Sequence, residues 1–388
     1  MIFTIFLFLV ILSVLVFVHE WGHFTLARRN GMKVDEFGFG FPPRMGGIIK
    51  DEETGKWKFV FGNKNIQSRH TIFSINWIPL GGFVRIKGED GMGKDDPESF
   101  ASKSAWARIK VLVAGVAMNF VLAWVLFSII GMVGVQEGVD DTVQDSNAYV
   151  LITNIGKGTP AELMGLQAGD VMLELASSGE GANVVRTAED AQEYIRSHKG
   201  VEVAVTVRRG EATLQFSGTP RKEFPQSEGS LGIQMVRVHT VQYAWYEALW
   251  LGAKQTWMFT AMILSAFAAM IYSLITGNGI TADLAGPVGI AYITKQVAEL
   301  GIVHVLNFAA ILSVNLGIIN ILPIPALDGG RVFFVLLEVI NKGKAVSQKF
   351  EHALHTASFL LLILLMILVT MHDFSRFEIL KRITNLFE

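Results

Sequence analysis

The sequence predicts a polytopic α-helical membrane protein with four transmembrane helices, a cytoplasmic-side membrane-associated β-hairpin region and an inserted extracytoplasmic α+β domain. Three observations predict it. Apolar residues fill 51% of the 388 positions and the mean hydropathy is +0.41, too high for an ordinary soluble chain of two domains. Four runs, roughly 2 to 26, 111 to 135, 303 to 323 and 353 to 371, are apolar and long enough to cross a hydrocarbon core of ~30 Å, which takes about 20 helical residues. Between the second and third runs lie short alternating segments separated by glycine-containing turns, the pattern of a small α+β domain.

The first segment, 1–27, has no basic residue before its apolar run and no small-residue cleavage site after it, so it is expected to stay attached rather than act as a signal peptide. Arg28, Arg29 and Lys33 follow it, and Arg108 and Lys110 sit at the start of the second segment, 106–135. The region between, 28–105, is therefore expected on the cytoplasmic side. Residues 28 to 110 carry 15 Lys+Arg against 10 Asp+Glu, whereas 136 to 302 carry 11 against 18, which places the latter outside. The formal net charge of −2 gives no field that points to nucleic acid. The absence of cysteine removes disulfides, thiolate metal sites and thiol catalysis, so any metal must sit on His, Asp or Glu.

Inside the first span stands "FVHEWGH", residues 17 to 23. His19 and His23 are one helical turn apart on one face, with Glu20 beside them, the H-E-x-x-H pattern of two zinc ligands and a general base. The bland reading is a pair of interfacial histidines with a snorkelling glutamate. Against it, His19 lies nine residues before Arg28, about 13 Å inside at 1.5 Å per residue, where Glu20 is costly without a cation or water. Two histidines leave a catalytic zinc one protein ligand short. Within or beside the other spans, the carboxylate in comparable surroundings is Asp328, in "NLGIINILPIPALDGGR" of segment 303–331. Both motifs abut basic residues of the cytoplasmic edge, so they can meet at similar depth.

A fifth apolar stretch, Gln255 to Ala282, has no charge. Were it to cross, Asp328 would emerge on the face opposite His23. Segment 245–300 is therefore expected to be a surface-lying or re-entrant helix and loop, consistent with Trp245, Trp250 and Trp257.

A protease working on a transmembrane helix must hold its substrate extended, and an edge strand does this by adding a peptide as a neighbour. "TIFSINWIPLGGFVRIKG" alternates from Ile72 to Ile78, turns at Gly81 and Gly82, and resumes at Phe83, which reads as a hairpin. Phe73 and Ile75 in it, and Gly38 and Gly40 in "GFGF", are candidate substrate contacts, or else parts of a plain anchoring hairpin. Pro323 and Pro325 interrupt the third span near Asp328. Asn315 and Asn320 are candidates to bond an extended substrate backbone, or interhelical glue, and Asn119 reads as structural. Residues 145–236 read as a PDZ domain of the bacterial type, with "GSLGIQM" a possible contributor to peptide binding and a steric filter the favoured role. His352 and His355 share a face near the start of the fourth segment, 352–372, and read as interface packing. The end, 373–388, reads as an amphipathic tail on the outer surface.

With "HEWGH" in the first span, "NLGIINILPIPALDGG" in the third and a PDZ-like insert between, the chain resembles the site-2 protease family, and in it the bacterial regulator of sigma-E protease. "EFGFGF", "FSINWIPLGGFVRIKGED", "AGPVGIA" and "HDFSRF" extend the likeness over nearly the whole chain. The resemblance implies one Zn²⁺ on His19, His23 and Asp328, with Glu20 as base. It also implies a multi-pass protein of the bacterial inner membrane that cuts single-pass proteins after an upstream site-1 protease, with anti-sigma factors or remnant signal peptides as substrates. It favours the substrate role for the hairpin and for Asn320. The chain departs from the family in having room for one PDZ module where proteobacterial members usually carry two. Two other readings compete: a non-catalytic PDZ scaffold that keeps a structural zinc, and a zinc transporter.

Overall fold

An apolar run without proline is free to close every i to i−4 hydrogen bond, and it forms α1 (Ile2–Arg29), whose last turn carries Arg28 and Arg29 against the negative end of the helix dipole. A computed structural model of the chain describes residues 2–63, 66, 68–177, 179–225, 228–277, 286–344 and 346–376. It divides into two compact units: residues up to Ser128 with Leu249–Val297 and those from Val305 on, and Ile129–Ala248 with Ala298–His304.

In the first unit, α1 is followed by β1 (Val34–Lys50), β2 (Trp57–Phe61) and β3 (Ile72–Ile86), in the order β2-β1-β3. β1 and β3 are long and bent, so each pairs twice. Residues 36–39 of β1 lie between 72–75 and 82–85 of β3, while 46–48 of β1 take the other side of 73–75. The segment 82–86 is thus paired along one edge only, among the described residues. The sheet packs on α1 through aromatic rings: Phe37 lies 5.3 Å from Phe17 and 4.8 Å from Phe24, and Phe73 lies 5.9 Å from Phe24. Trp57, whose ring lies 6.3 Å from Phe73, and Phe59, Phe61 and Trp77 are exposed, an apolar patch that marks an interaction surface.

One buried ion pair stiffens β1. Arg44 grips Glu36 with two bonds, Nε to Oε1 at 2.7 Å and Nη2 to Oε2 at 2.6 Å, and both side chains are buried. Burial pushes the Glu36 carboxyl up, but the hydrogen bonds of Arg44 and Ser74 and the charges of Arg44 and Arg85 together outweigh it and hold the group below the ordinary carboxylate value. Removing one partner strands a buried charge. Arg44→Met is expected to lower stability by about 3–5 kcal/mol, measured by denaturation in detergent, and an unchanged unfolding midpoint would contradict the pairing.

After α2 (Ala105–Val133) the chain enters the second unit: β4 (Val135–Gly138), β5 (Tyr149–Ile155), α3 (Pro160–Met164), β6 (Val171–Ser177), β7 (Asn183–Val184), α4 (Ala188–Ser197), β8 (Val203–Arg209), β9 (Ala212–Gly218) and β10 (Ile233–Val241). The strands form one antiparallel sheet in the order β4-β10-β5-β6-β8-β9, with β7 paired to β6. Alternation decides its buried face: Val203, Val205 and Val207 are fully buried, together with Ile152 and Leu175. α3 starts on Thr159 with Pro160 in the first turn, and α4 starts on a capping box between Thr187 and Asp190. A cavity of about 360 Å³ lies between α4 and the start of β10, lined by Ile195, Arg196, Phe224, Leu231, Ile233 and Met235.

The remaining helices are α5 (Trp245–Ile275), α6 (Pro287–Glu299), α7 (Ile302–Ile321), α8 (Asp328–Ile340) and α9 (Gln348–Arg376). Among the described residues five helices, α1, α2, α5, α7 and α9, are long and apolar enough to cross a membrane. α5 packs against the end of α2. Its Leu249 carbonyl accepts a bond from Trp124 Nε1 at 2.8 Å, and ten residues later Phe259 stacks on Phe127 at 5.3 Å.

The third apolar segment differs from the single span read over 303–331. α7 stops at Ile321, and Asp328 opens a separate helix, α8. Pro323 and Pro325 have no N–H to continue a helix and bias the residues before them to extended backbone. The expected amphipathic tail lies, beyond Arg376, outside the described residues, as does the stretch 278–282 of the fifth apolar segment.

Candidate metal centre

His19 and His23 stand one turn apart on α1 and turn away from the aromatic face that meets the sheet. Their rings are 4.8 Å apart, edge to face, and both side chains are buried. They face α2, and the approach is backbone to backbone. A Cβ on Gly22 would sit 2.4 Å from the Ala114 carbonyl oxygen, and one on Gly115 would sit 2.3 Å from His23 Nε2. Only glycine fits at either position.

Asp328 arrives from the far end of the sequence at the first turn of α8, where the positive end of the helix dipole favours a carboxylate. The turn that delivers it is tight: a Cβ on Gly329 would lie 2.2 Å from the Ile321 carbonyl oxygen. Asp328 Oδ2 then lies 2.9 Å from His19 Nε2 and 3.3 Å from His23 Nε2, and the two nitrogens are 3.1 Å apart. The three residues are brought together with one ligand atom each, all within 4.8 Å of one another.

These separations fit a metal. Zinc at about 2.0–2.1 Å from nitrogen and oxygen ligands sets the edge of its tetrahedron at about 3.3 Å. The protonation pattern agrees. His23 Nδ1 lies 2.8 Å from the Val111 carbonyl oxygen, which only accepts, so Nδ1 carries the proton and Nε2 turns a lone pair inward. His19 Nδ1 lies 3.1 Å from Asn119 Nδ2, while Asn119 Oδ1, fully buried, has no partner. Rotating that amide by half a turn leaves its shape unchanged, gives Oδ1 the His19 Nδ1 proton, and turns the second Nε2 lone pair inward. Two lone pairs and a carboxylate then face one another at close range, an arrangement that a cation stabilises.

Asn119 is the residue that sequence reading missed, set aside as structural. Its signal was a lone asparagine within a span, one turn beyond Gly115. Asn119→Leu is expected to weaken zinc binding about 10- to 100-fold in a chelator competition, and unchanged affinity would deny it this role.

Glu20 lies on the side of α1 that faces the sheet. Its Cγ is the side-chain atom nearest a Cβ built on Gly82, at 3.7 Å, and the Val84 backbone interacts with its carboxylate. Arg331, one turn beyond Asp328 on α8, pairs with Glu89 just past β3, and Arg108 Nη2 holds Glu338 Oε1 at 2.7 Å. α8 is thereby fixed to the β3 segment and to α2.

The other candidate residues are placed differently. Gly38 is buried, with Ser74 on one side and Phe83 on the other, so its close approach serves the sheet itself. Gly40 has φ +81° beside the Ile78 carbonyl oxygen. The Phe73 ring packs on Phe24 and Phe37, while Ile75 is 54% exposed and free to touch another molecule. Asn315 and Asn320 are half-buried on α7, and among the described residues neither has a hydrogen-bond partner for its side-chain amide.

Comparison with known proteins bears on this geometry. The model of peptidase family M50 matches residues 7–365. The chain belongs to peptidase family M50, the site-2 protease family. The M50 chain is 30% identical to the zinc metalloprotease RasP of Oceanobacillus iheyensis, over 96% of its own length and 99% of that protein. It is also 30% identical to the regulator of sigma-W protease RasP of Bacillus subtilis, over 96% and 98% of the two chains. This M50 member is a zinc metalloprotease and a multi-pass membrane protein.

Proposed function

We propose that this peptidase cuts the transmembrane segments of single-pass membrane proteins, with zinc held by His19, His23 and Asp328 and with Glu20 as general base. The observation that carries the reading is the convergence of these three donors beside Glu20, toward the C-terminal end of an apolar helix. A zinc ion held by His19, His23 and Asp328 would supply Lewis-acid polarisation of the scissile carbonyl and a lowered pKa for attacking water. Glu20 takes the proton of the attacking water on its carboxylate and delivers it to the departing amine nitrogen. His19 and His23 are kept in one tautomer by Asn119 and by the Val111 carbonyl, so they remain ligands throughout the cycle.

The substrate must be unwound to be cut. The edge 82–86 of β3, open on one side and running past Glu20, suits an added strand, with Ile75 and the sheet around Gly38, Gly40 and Phe73 behind it. The unpartnered amides of Asn315 and Asn320 suit the freed backbone of such a strand. The apolar sheet surface at Trp57, Phe59 and Phe61 suits the cytoplasmic membrane interface.

Four spans, α1, α2, α7 and α9, serve this reading, with α5 lying along the interface. The exposed rings of Trp245, Trp250 and Trp257 on α5 support that course, because indoles favour the membrane interface. The second unit acts outside as a PDZ-type filter. Ile233–Arg237 of β10 is paired with β5 along one edge, and the cavity beside α4 is sized for a peptide rather than a folded domain. Substrates of the anti-sigma factor or signal peptide type therefore enter after an upstream protease has removed their outer part.

The test uses purified protein in vesicles with matched substrates that keep or lack their outer domain. Cleavage within the span of trimmed substrates only is expected. Equal cutting of both would sink the filter, and cutting outside the span would sink the intramembrane reading. The cysteine-free chain also permits a labelling test of α5: Thr276→Cys should react with an impermeant maleimide from the side of the second unit. Reaction from the opposite side alone would make α5 a fifth span.

A further inference from the structure

The turn between α7 and α8 contains a residue in an unfavourable conformation. Ala326, two residues before Asp328, has φ +82°, in the left-handed region where a Cβ crowds the backbone. Strain of this kind persists only where neighbouring groups hold it. Within the turn, the bond from Leu327 N–H to the Ile324 carbonyl closes a β-turn whose central residues are Pro325 and Ala326, the second of which takes positive φ in a type II turn, but this bond leaves the Ala326 N–H itself without a partner in the turn.

A second holding group comes from another helix. The Ala326 N–H donates to Nδ1 of His355 on α9 at 2.8 Å. To accept, Nδ1 must carry a lone pair, which puts the ring proton on Nε2, and Glu351 Oε1 lies 3.9 Å from that nitrogen. The ring is also packed against α8, 5.7 Å from the buried ring of Phe334. α9 thus reaches over α8 and grips the backbone just ahead of Asp328.

We infer that His355 is a positioning residue, which holds Ala326 in its left-handed conformation through one hydrogen bond and so sets Asp328 at ligand distance from His19 and His23. The inference rests on the reading of Asp328 as a zinc ligand. Without the acceptor, the Ala326 N–H loses its partner and the turn is held by one bond instead of two, so the backbone just ahead of the Asp328 carboxylate is no longer fixed. A ligand site tolerates displacements of only about 0.5 Å.

A ring that merely fills space between α8 and α9 would be replaced best by Phe. A ring that supplies an acceptor would be replaced best by Asn, whose Oδ1 stands as many bonds from Cβ as Nδ1 does. Zinc affinity of the full chain in detergent is measured by competition with a colorimetric chelator, alongside thermal unfolding. His355→Phe should weaken zinc binding about 10- to 100-fold, and His355→Asn should stay within about threefold of wild type. Ala326→Gly, which tolerates positive φ, should recover part of the loss when added to His355→Phe. Ala326→Val should reproduce the loss with His355 intact. Wild-type affinity in His355→Phe, or equal losses in the Phe and Asn variants, would overturn the inference. Asp328→Asn separates the two levels: if it leaves zinc bound as tightly as before, the ligand assignment itself falls and the role of His355 falls with it.

Discussion

Glu20→Gln should bind one zinc per chain and cleave about 10² to 10⁴ times more slowly than wild type. The substitution keeps the shape of the side chain and leaves the three ligand atoms untouched, since Glu20 faces the β3 segment while His19 and His23 face α2. What it removes is the site that accepts a proton from attacking water. A carboxamide at this place neither takes that proton nor delivers it to the leaving amine. The check is metal analysis and single-turnover cleavage on one preparation. Retained cleavage would mean that the proton passes elsewhere, and loss of zinc would mean that Glu20 supports the ligands rather than the reaction.

Asp328→Ala should lose both zinc and activity while the chain remains folded. The remaining pair, His19 and His23, leaves a site with two protein ligands where catalytic zinc uses three, and it removes the negative charge that compensates the cation in an apolar surround. The cost to the fold is small by comparison. Asp328 contributes a helix-terminal charge at the start of α8, of the order of 0.3–1 kcal/mol, whereas α8 stays held by Arg331 to Glu89 and by Glu338 to Arg108. Zinc content near zero with an unfolding midpoint equal to that of chelator-treated wild type is the expected pair of results. Full zinc occupancy in the variant would reassign the third ligand.

Much of the site's geometry is legible in the residues themselves, because its parts obey local rules. His19, Glu20 and His23 follow from helical periodicity, and Asp328 follows from the cost of a carboxylate in apolar surroundings. What escapes is whatever depends on the third dimension. Asn119 stands alone in an apolar run, and no spacing rule links it to a histidine on another helix. α8 is hidden because Arg331 and Glu338 look like the polar end of a span, and their partners Glu89 and Arg108 lie far away in sequence. The alternation from Ile72 to Ile78 announces a strand, yet it cannot reveal that β1 and β3 double back so that 36–39 is flanked on both sides. Pro323 and Pro325 mark the turn before Asp328, yet the residue that takes positive φ in it is an alanine, where glycine or asparagine would have announced that conformation.

The meeting of α1 and α2 at Gly22 and Gly115 has a mechanical consequence. Where two helices touch through side chains, rotamer changes absorb sliding and let each respond separately to its surroundings. Here the contact is main chain on main chain, with a Cβ at either glycine excluded, so no such slack exists. A thicker or thinner bilayer that tilts one helix must carry the other with it. Elastic deformation of the membrane is then taken up by the outlying helices, and the histidines ride on a joint that acts as a single stiff beam.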